Sequence, residues 1–318
     1  MLGMLLRRLF LGGITVAIVS MIIFAGVEIL PGDACTAFLE REAHGKLLEN
    51  CREDLGLNRP AIERYLDWSL NALQGDLGIS ANGKDSIAQL VGARLGNSLL
   101  LAFCALGVGV PLAIILGVIA GLTRDKPIDL FVSTSAIFAM TIPEFVSATV
   151  LILIFSAWLG WLPGIVLVSA SAPASAFFPE IILPVIVLSM VMTAHILRMV
   201  RSSVIDVMSS DYIQMATLKG VPFWHMIFRH ALPNALLPAI NVVALTIAWL
   251  LGGVVVIEVV FNFPGLGRMM IDSISDRDLP VVQALALIVA SVYVGVNLSA
   301  DILTMIANPR LRTMYTRK

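Results

Sequence analysis

Charge is what this sequence has least of: Asp, Glu, Lys and Arg make up only 14% of its 318 residues, whereas 58% are hydrophobic. Soluble domains carry about 25% charged residues, so a soluble fold has too little polar side chain to cover this much apolar surface. Basic clusters are also missing, and a formal net charge of −1 leaves nothing to neutralise phosphates, which removes nucleic acid as a partner. No Gly-x-x-x-x-Gly-Lys-Ser/Thr loop occurs, so the chain has no phosphate cradle for ATP. The four histidines, His44, His195, His225 and His230, show no metal-ligand spacing. An intramembrane metalloenzyme is therefore disfavoured, and no catalytic residue or metal is expected. Only three cysteines are present. Cys104 sits in an apolar run and reads as a buried, inert thiol. Cys35 and Cys51 flank a polar stretch, where a disulfide would close a loop worth ~3 kcal/mol; their spacing leaves bonded and free forms equally open.

What the sequence does have is long apolar runs. Six are long enough to cross a bilayer, at about 9–30, 97–122, 130–158, 181–203, 236–258 and 281–306. The first follows Arg7 and Arg8 without an evident small-residue cleavage site, so it reads as a retained span rather than a signal peptide. No internal repeat appears, and residues 1–318 read as one transmembrane domain. Arg7, Arg8, Arg124, Lys126, Arg198, Arg201, Lys219, Arg229, Arg310, Arg312, Arg317 and Lys318 fall on one side of the alternating topology. The bias of Lys and Arg toward the cytoplasm predicts that this side, with both termini, is cytoplasmic. Residues 31–96 then form an extracytoplasmic segment. Within it Ile62, Tyr65, Leu66 and Leu70 at helical spacing predict a small cap on the membrane surface.

Ionisable groups inside spans are functional candidates because a charge in hydrocarbon costs at least ~2.5 kcal/mol. Glu144 follows Pro143, which should kink the third span near mid-depth, and the two are candidates for lining a pathway. Asn297 and Asp301, a turn apart, read as an interhelical packing pair, and His195 and Glu28 read as lying near span ends. Gly117 and Gly121 form a small-xxx-small pair in the second span. Beyond the fifth span, Leu266, Met269, Met270 and Ile274 are predicted to share one face of a short helix, with Arg268, Asp272 and Asp276 away from it.

Between the fourth and fifth spans, within about 204–235, runs Asp211-Tyr212-Ile213-Gln214-Met215-Ala216-Thr217-Leu218-Lys219-Gly220-Val221-Pro222, then Phe223 to Pro233. Gly220 suits the left-handed residue that ends a helix, and Pro222 suits the first turn of the next. The segment therefore reads as helix, elbow, helix, with Pro233 stopping or bending the second. Phe223, Trp224, Ile227, Phe228 and Ala231 are expected on one face of that helix, with His225 and Arg229 opposite, so that it lies flat on the membrane surface.

This segment resembles the signature loop of ATP-binding-cassette importer permeases: Glu-Ala-Ala, three residues, Gly, nine residues, then an apolar residue-x-Leu-Pro. Ala216, Gly220, Leu232 and Pro233 match in register. Gln214 and Met215 replace the first Glu and Ala, and His230 takes the apolar position, which looks like the dipeptide and oligopeptide branch. The resemblance continues through Leu30-Pro31-Gly32-Asp33, Leu55 to Pro60, Gly75-Asp76-Leu77-Gly78, Ile142-Pro143-Glu144-Phe145, Leu159-Gly160-Trp161-Leu162-Pro163, Pro264-Gly265-Leu266-Gly267-Arg268, Arg277 to Gln283 and Asn308-Pro309-Arg310-Leu311-Arg312.

The resemblance implies an all-α membrane protein with the type I importer permease fold, six transmembrane helices and an extracytoplasmic helical segment after the first. It implies a multi-pass subunit of a bacterial inner membrane, paired with a second homologous permease and one or two ATPase subunits that bind ATP and Mg. It also implies an extracytoplasmic solute-binding protein. Coupling would fall to Tyr212, Ala216, Lys219, Gly220, Pro222, Arg229, Leu232 and Pro233, and binding-protein docking to Arg268, Asp272 and Arg277. Family members carry dipeptides, oligopeptides, glutathione or nickel chelates; no His or Cys cluster favours a free metal ion here. An ion-coupled secondary transporter would show repeated halves and broken helices with midplane charges; apart from Pro143 and Glu144 the sequence has neither.

Overall fold

The computed structural model describes residues 2–29, 33–39, 43–54, 56–81 and 85–307; Leu30 to Gly32, Leu55 and everything from Asn308 onward, including Arg310, Arg312, Arg317 and Lys318, lie outside them. Within those residues the chain is helical, with one isolated bridge between Ile79 and Ser86. The order is α1 (Leu2–Ile29), α2 (Ala34–Leu39), α3 (Gly45–Asp54), α4 (Ala61–Leu73), α5 (Ile87–Leu122), α6 (Pro127–Thr141), α7 (Glu144–Leu151), α8 (Ile182–Met208), α9 (Asp211–Leu218), α10 (Phe223–Met226), α11 (Leu232–Val260), α12 (Leu266–Ser275) and α13 (Leu279–Ala307).

The third predicted span is not one helix. Pro143 sits between α6 and α7, which meet at 105°, and α7 runs on into a π-helical turn at Ile152–Trp158. A proline lacks the N–H that would continue the ladder, so a bend belongs there; its size exceeds an ordinary proline kink. The bent pair still crosses the molecule. Asp129, at its start, binds Arg201 near the end of α8, whereas the backbone N–H of Val166, just past its end, donates to Phe261 O at the far end of α11. Five continuous helices and this broken one make six candidate spans.

The two ends of the bundle differ in character. At the basic end lie Arg8, Arg124, Arg201 and the elbow; Arg8 of α1 pairs there with Asp301 of α13. Of the expected interhelical pair, Asp301 thus reaches a second helix, whereas Asn297 donates to Tyr293 O of its own helix. At the other end, α2 to α4 form the predicted cap. Tyr65 packs edge-on against Phe24 of α1 and bonds Ser20 Oγ at 2.8 Å, while Arg64 holds Glu28 at 2.5 Å. Ile62, Leu66 and Leu70, at helical spacing with Tyr65, are exposed, open to the membrane surface on which the cap is expected to lie. The helix of the second span begins at Ile87, ten residues before the apolar run, because Ile87 and Val91 pack against Leu266, Met269, Val281 and Leu285 at the cap end.

The centre is the α5–α8 seam. A Cβ on Gly117 would stand 2.7 Å from Val200 Cβ and 2.9 Å from Leu197 O, and one on Gly121 would stand 2.7 Å from Val204 Cβ. Only glycine allows the two backbones this close. Nearer the cap end, Ser189 and Thr193 each donate a hydroxyl to a carbonyl of α5, Ala105 O and Gly109 O, at 3.1 Å. Asp129, at the start of α6, is buried and takes both Nε and Nη2 of Arg201, at 2.5 and 2.7 Å.

Candidate functional site

The elbow starts with α9, which ends as the sequence suggested. Gly220 has φ +74°, Val221 N donates to Ala216 O at 3.1 Å, and Gly220 N donates to Thr217 O at 3.0 Å. That paired pattern is a Schellman closure, and Ala216 and Val221 make its hydrophobic contact inside a cluster with Ile213, Met226 and Ala231. Ala216 is therefore small for packing within the elbow itself. Nothing lies within 4 Å of the position a Cβ on Gly220 would take. Tyr212 ties the two arms together, its hydroxyl accepting from Asn234 Nδ2 at 3.2 Å.

The second arm differs from expectation in two ways. Pro233 neither stops nor bends it: α10 passes through a π turn at Ile227–Ala231 directly into α11, and Pro233 occupies the first turn, where a missing N–H costs nothing. The segment is thus the foot of the fifth span and not a separate helix lying flat. Its apolar residues also split between two faces. Ile227 and Ala231 are buried with Met226, whereas Phe223, Trp224 and Phe228 are 53%, 64% and 65% exposed. The wider π turn rotates the residues beyond it and breaks the single stripe. With Met215 and with Leu218, 81% exposed at the tip, these aromatics make an apolar surface around the open Gly220. Lys219, Pro222 and Arg229 are exposed beside it, and Leu232 is half-buried behind it.

Within the bundle, Glu144 stands just after the break at Pro143. Its carboxylate reaches α11 where Gly253 offers no side chain, 3.0 Å from where a Cβ would be, and makes no hydrogen bond among the described residues. His195 was expected near a span end but lies midway along α8, its Nδ1 3.1 Å from Val191 O and its side chain exposed beside Arg198. His225 and His230 approach to 5.9 Å, yet no group of three His, Cys, Asp or Glu able to hold a metal occurs among the described residues.

At the cap end the structure adds a group the sequence reading passed over. Glu258, fully buried near the end of α11, accepts from Gly267 N at 2.7 Å, Arg268 N at 3.1 Å and the Ser98 hydroxyl. It caps α12 from outside that helix, where a carboxylate also complements the helix dipole. A Cβ on Gly265 would fall 2.0 Å from Glu258 Oε1, which explains the Pro264-Gly265 turn. The signal was there: Glu258 is a lone acid in the run Val254 to Val260. On α12, Leu266, Gly267, Met269 and Ser273 are buried, while Ile271 and Ile274 are 42% and 50% exposed, so the protein does not cover the expected apolar face as far as Ile274. Arg268 and Asp272 pair at 3.3 Å, and Arg277 follows with φ +54°. In the cap, Cys35 and Cys51 are joined by a disulfide.

Known proteins match along nearly the whole chain. A probable peptide ABC transporter permease of Sinorhizobium fredii is 32% identical over 97% of this chain and 98% of its own length. A glutathione transport system permease of Escherichia coli is 35% identical over 98% of this chain and 99% of its own. A solved amino acid ABC transporter with histidines is similar in fold alone: 18% identity, TM-score 0.51, covering 70% of this chain and 94% of that one. Residues 113–313, which hold the Gly117 and Gly121 part of the α5–α8 seam, the broken span, the elbow and Glu258, match the family model of binding-protein-dependent transport system inner membrane components. The chain belongs to that family, the membrane-spanning permease subunits of ABC importers.

Proposed function

We propose that the chain is a permease of a peptide-type importer and that its elbow is the part that docks on a separate ATPase. The observation that carries this is the apolar tip around Gly220: Met215, Leu218, Phe223, Trp224 and Phe228 stand exposed at the basic end, on a closed turn, with Trp224 packed against Phe223 and Phe228. Exposed aromatics beside a turn without side-chain bulk suit a groove on another protein. Tyr212, Ala216, Lys219, Pro222, Arg229, Leu232 and Pro233 build or flank that tip. The basic end is the cytoplasmic one, with both termini, by the bias of Lys and Arg. ATP and Mg are held by the ATPases, one or two in kind, and a second homologous permease completes the pathway.

Closure of the ATPases would move α9 and the foot of α11 together, switching the pathway between its two faces. Pro143 and Glu144 line it, supported by the position of Glu144 at the broken span with an uncompensated carboxylate facing Gly253. At the outer mouth Arg268, Asp272 and Arg277 meet a solute-binding protein. The solute is a small peptide or a peptide-like molecule such as glutathione, as in the two relatives.

The test is Gly220→Trp in the reconstituted complex. Solute uptake and solute-stimulated ATP hydrolysis should both collapse while the chain remains in the membrane; normal uptake would overturn the docking assignment. Proton-driven uptake by the chain alone would overturn the importer mechanism.

A further inference from the structure

A cavity of about 330 Å3 opens at the cap end between α1, the cap and the start of α13, lined among others by Phe24, Glu28, Asp33, Arg52, Arg64 and Gln283. That is the small end of the range for ligand cavities. Two ion pairs form its walls. Arg52 uses Nε on Asp33 Oδ2 at 2.6 Å, and Arg64 uses Nη2 on Glu28 Oε1 at 2.5 Å and Nε on Arg59 O at 3.1 Å. Both Nη atoms of Arg52, Nη1 of Arg64 and Oε2 of Glu28 make no hydrogen bond among the described residues. Gln283 is only 8% exposed, and its amide nitrogen has no acceptor among the described residues. A buried donor without a partner is rare in native proteins and calls for an acceptor that enters the cavity.

The walls are held in place. The Cys35–Cys51 disulfide joins α2 to α3, and Asp33 and Arg52 sit beside its two ends. Burial raises the Asp33 carboxyl, but the Thr36 N–H and the Arg52 guanidinium outweigh it and hold the group below its ordinary range, so it is ionised at neutral pH. Arg64 also stacks over Phe24, 5.9 Å from the ring centre. The unused groups are thus mostly charged donors with one carboxylate oxygen among them, between apolar patches at Phe24, Leu57 and Pro280. Donors of this kind favour a carboxylate, and a free carboxylate oxygen favours an ammonium.

We propose that this cavity binds a small zwitterion of amino acid to dipeptide size, its carboxylate held by Arg52, Arg64 and Gln283 and its ammonium by Glu28. A zwitterionic phospholipid headgroup shares the chemistry. The assignment does not rest on the importer reading, because binding is measured on the chain itself without uptake.

The experiment uses the full chain in phosphatidylglycerol nanodiscs, titrated with labelled alanyl-alanine, with its N-acetyl derivative and with its C-terminal amide. Saturable binding of the free dipeptide is expected, about tenfold weaker or worse for each capped form, since each loses a charged contact. Gln283→Leu and Arg52→Gln should weaken it similarly, with the thermal melt of each reporting whether the chain is folded; the second serves if the first does not fold. Competition by added phosphatidylethanolamine supports the site and assigns it to a lipid headgroup, and lack of competition supports it for a soluble ligand. No saturable binding, equal binding of capped and free dipeptides, or full binding by both folded variants would overturn the proposal.

Discussion

Replacing Arg201 with Met should destabilise the protein far more than replacing its partner Asp129 with Asn. The Asp129 side chain is 1% exposed and that of Arg201 29%. Besides the two guanidinium contacts, the carboxylate accepts from Asp125 N at 2.9 Å and Ser133 Oγ at 3.0 Å. Arg201→Met leaves a sealed anion with two neutral donors, a loss of about 3–5 kcal/mol. Asp129→Asn leaves a cation that reaches water along its open edge, a loss of about 1–2 kcal/mol. The double variant has no buried charge, and its cost should be well below the sum of the two single ones. Reversible unfolding in mixed micelles, followed by helix content as a denaturing detergent is titrated in, measures all four corners. Equal costs for the two single variants, or a double variant that is simply additive, would refute the reasoning.

Three more outcomes are expected. Glu258→Gln removes charge from two backbone hydrogen bonds and should raise amide exchange across Leu266–Ser275 by the equivalent of about 1–2 kcal/mol, with little change in α8. Gly121→Leu places a side chain against Val204 and the Arg201 carbonyl, 2.7 and 3.1 Å away, and should cost about 1–3 kcal/mol in the same detergent titration. Gly107→Leu, where nothing stands within 4 Å of the added Cβ, is its neutral control. The Asp33 carboxyl is lowered on folding, so its contribution is present at neutral pH and lost as pH falls through its folded value. Proteolytic protection of the cap should therefore hold down to about pH 4 and decline below it; a cap that loosens between pH 7 and 5 would contradict this.

The six crossings were legible because an apolar run of bilayer length has few other uses, and Pro143 marked the place of the break. Its angle was not legible, since it depends on how α7 packs against α8 and α11. Gly220 announced the elbow because few other residues accept its backbone geometry. The face of the second arm was misread at Phe223, Trp224 and Phe228, because a helical wheel assumes one pitch and Ile227–Ala231 departs from it. Ile62, Leu66, Leu70 and Ile274 show a related limit. Spacing groups apolar residues on a face without saying whether protein or membrane will cover it. Glu258 and the Asp129–Arg201 pair were hidden for another reason, as their partners lie 9 or more positions away in sequence and only the packing joins them.

The foot of the fifth span and the span itself form one helical run from Phe223 to Val260, about 57 Å long at the α-helical rise. One end carries the aromatic tip; the other grips α12 through Glu258. Such a run is a lever with unequal stiffness along its length. The π turn and Pro238 remove or lengthen backbone hydrogen bonds in its first half, whereas no proline interrupts it from Ala239 to Val260. If the tip docks on an ATPase as proposed, a small push there would be partly absorbed by bending near the foot, and only a larger displacement would swing the stiff section. Under the proposed docking, the helix would filter out small movements of the elbow, and its far end at α12 would answer only to a full stroke.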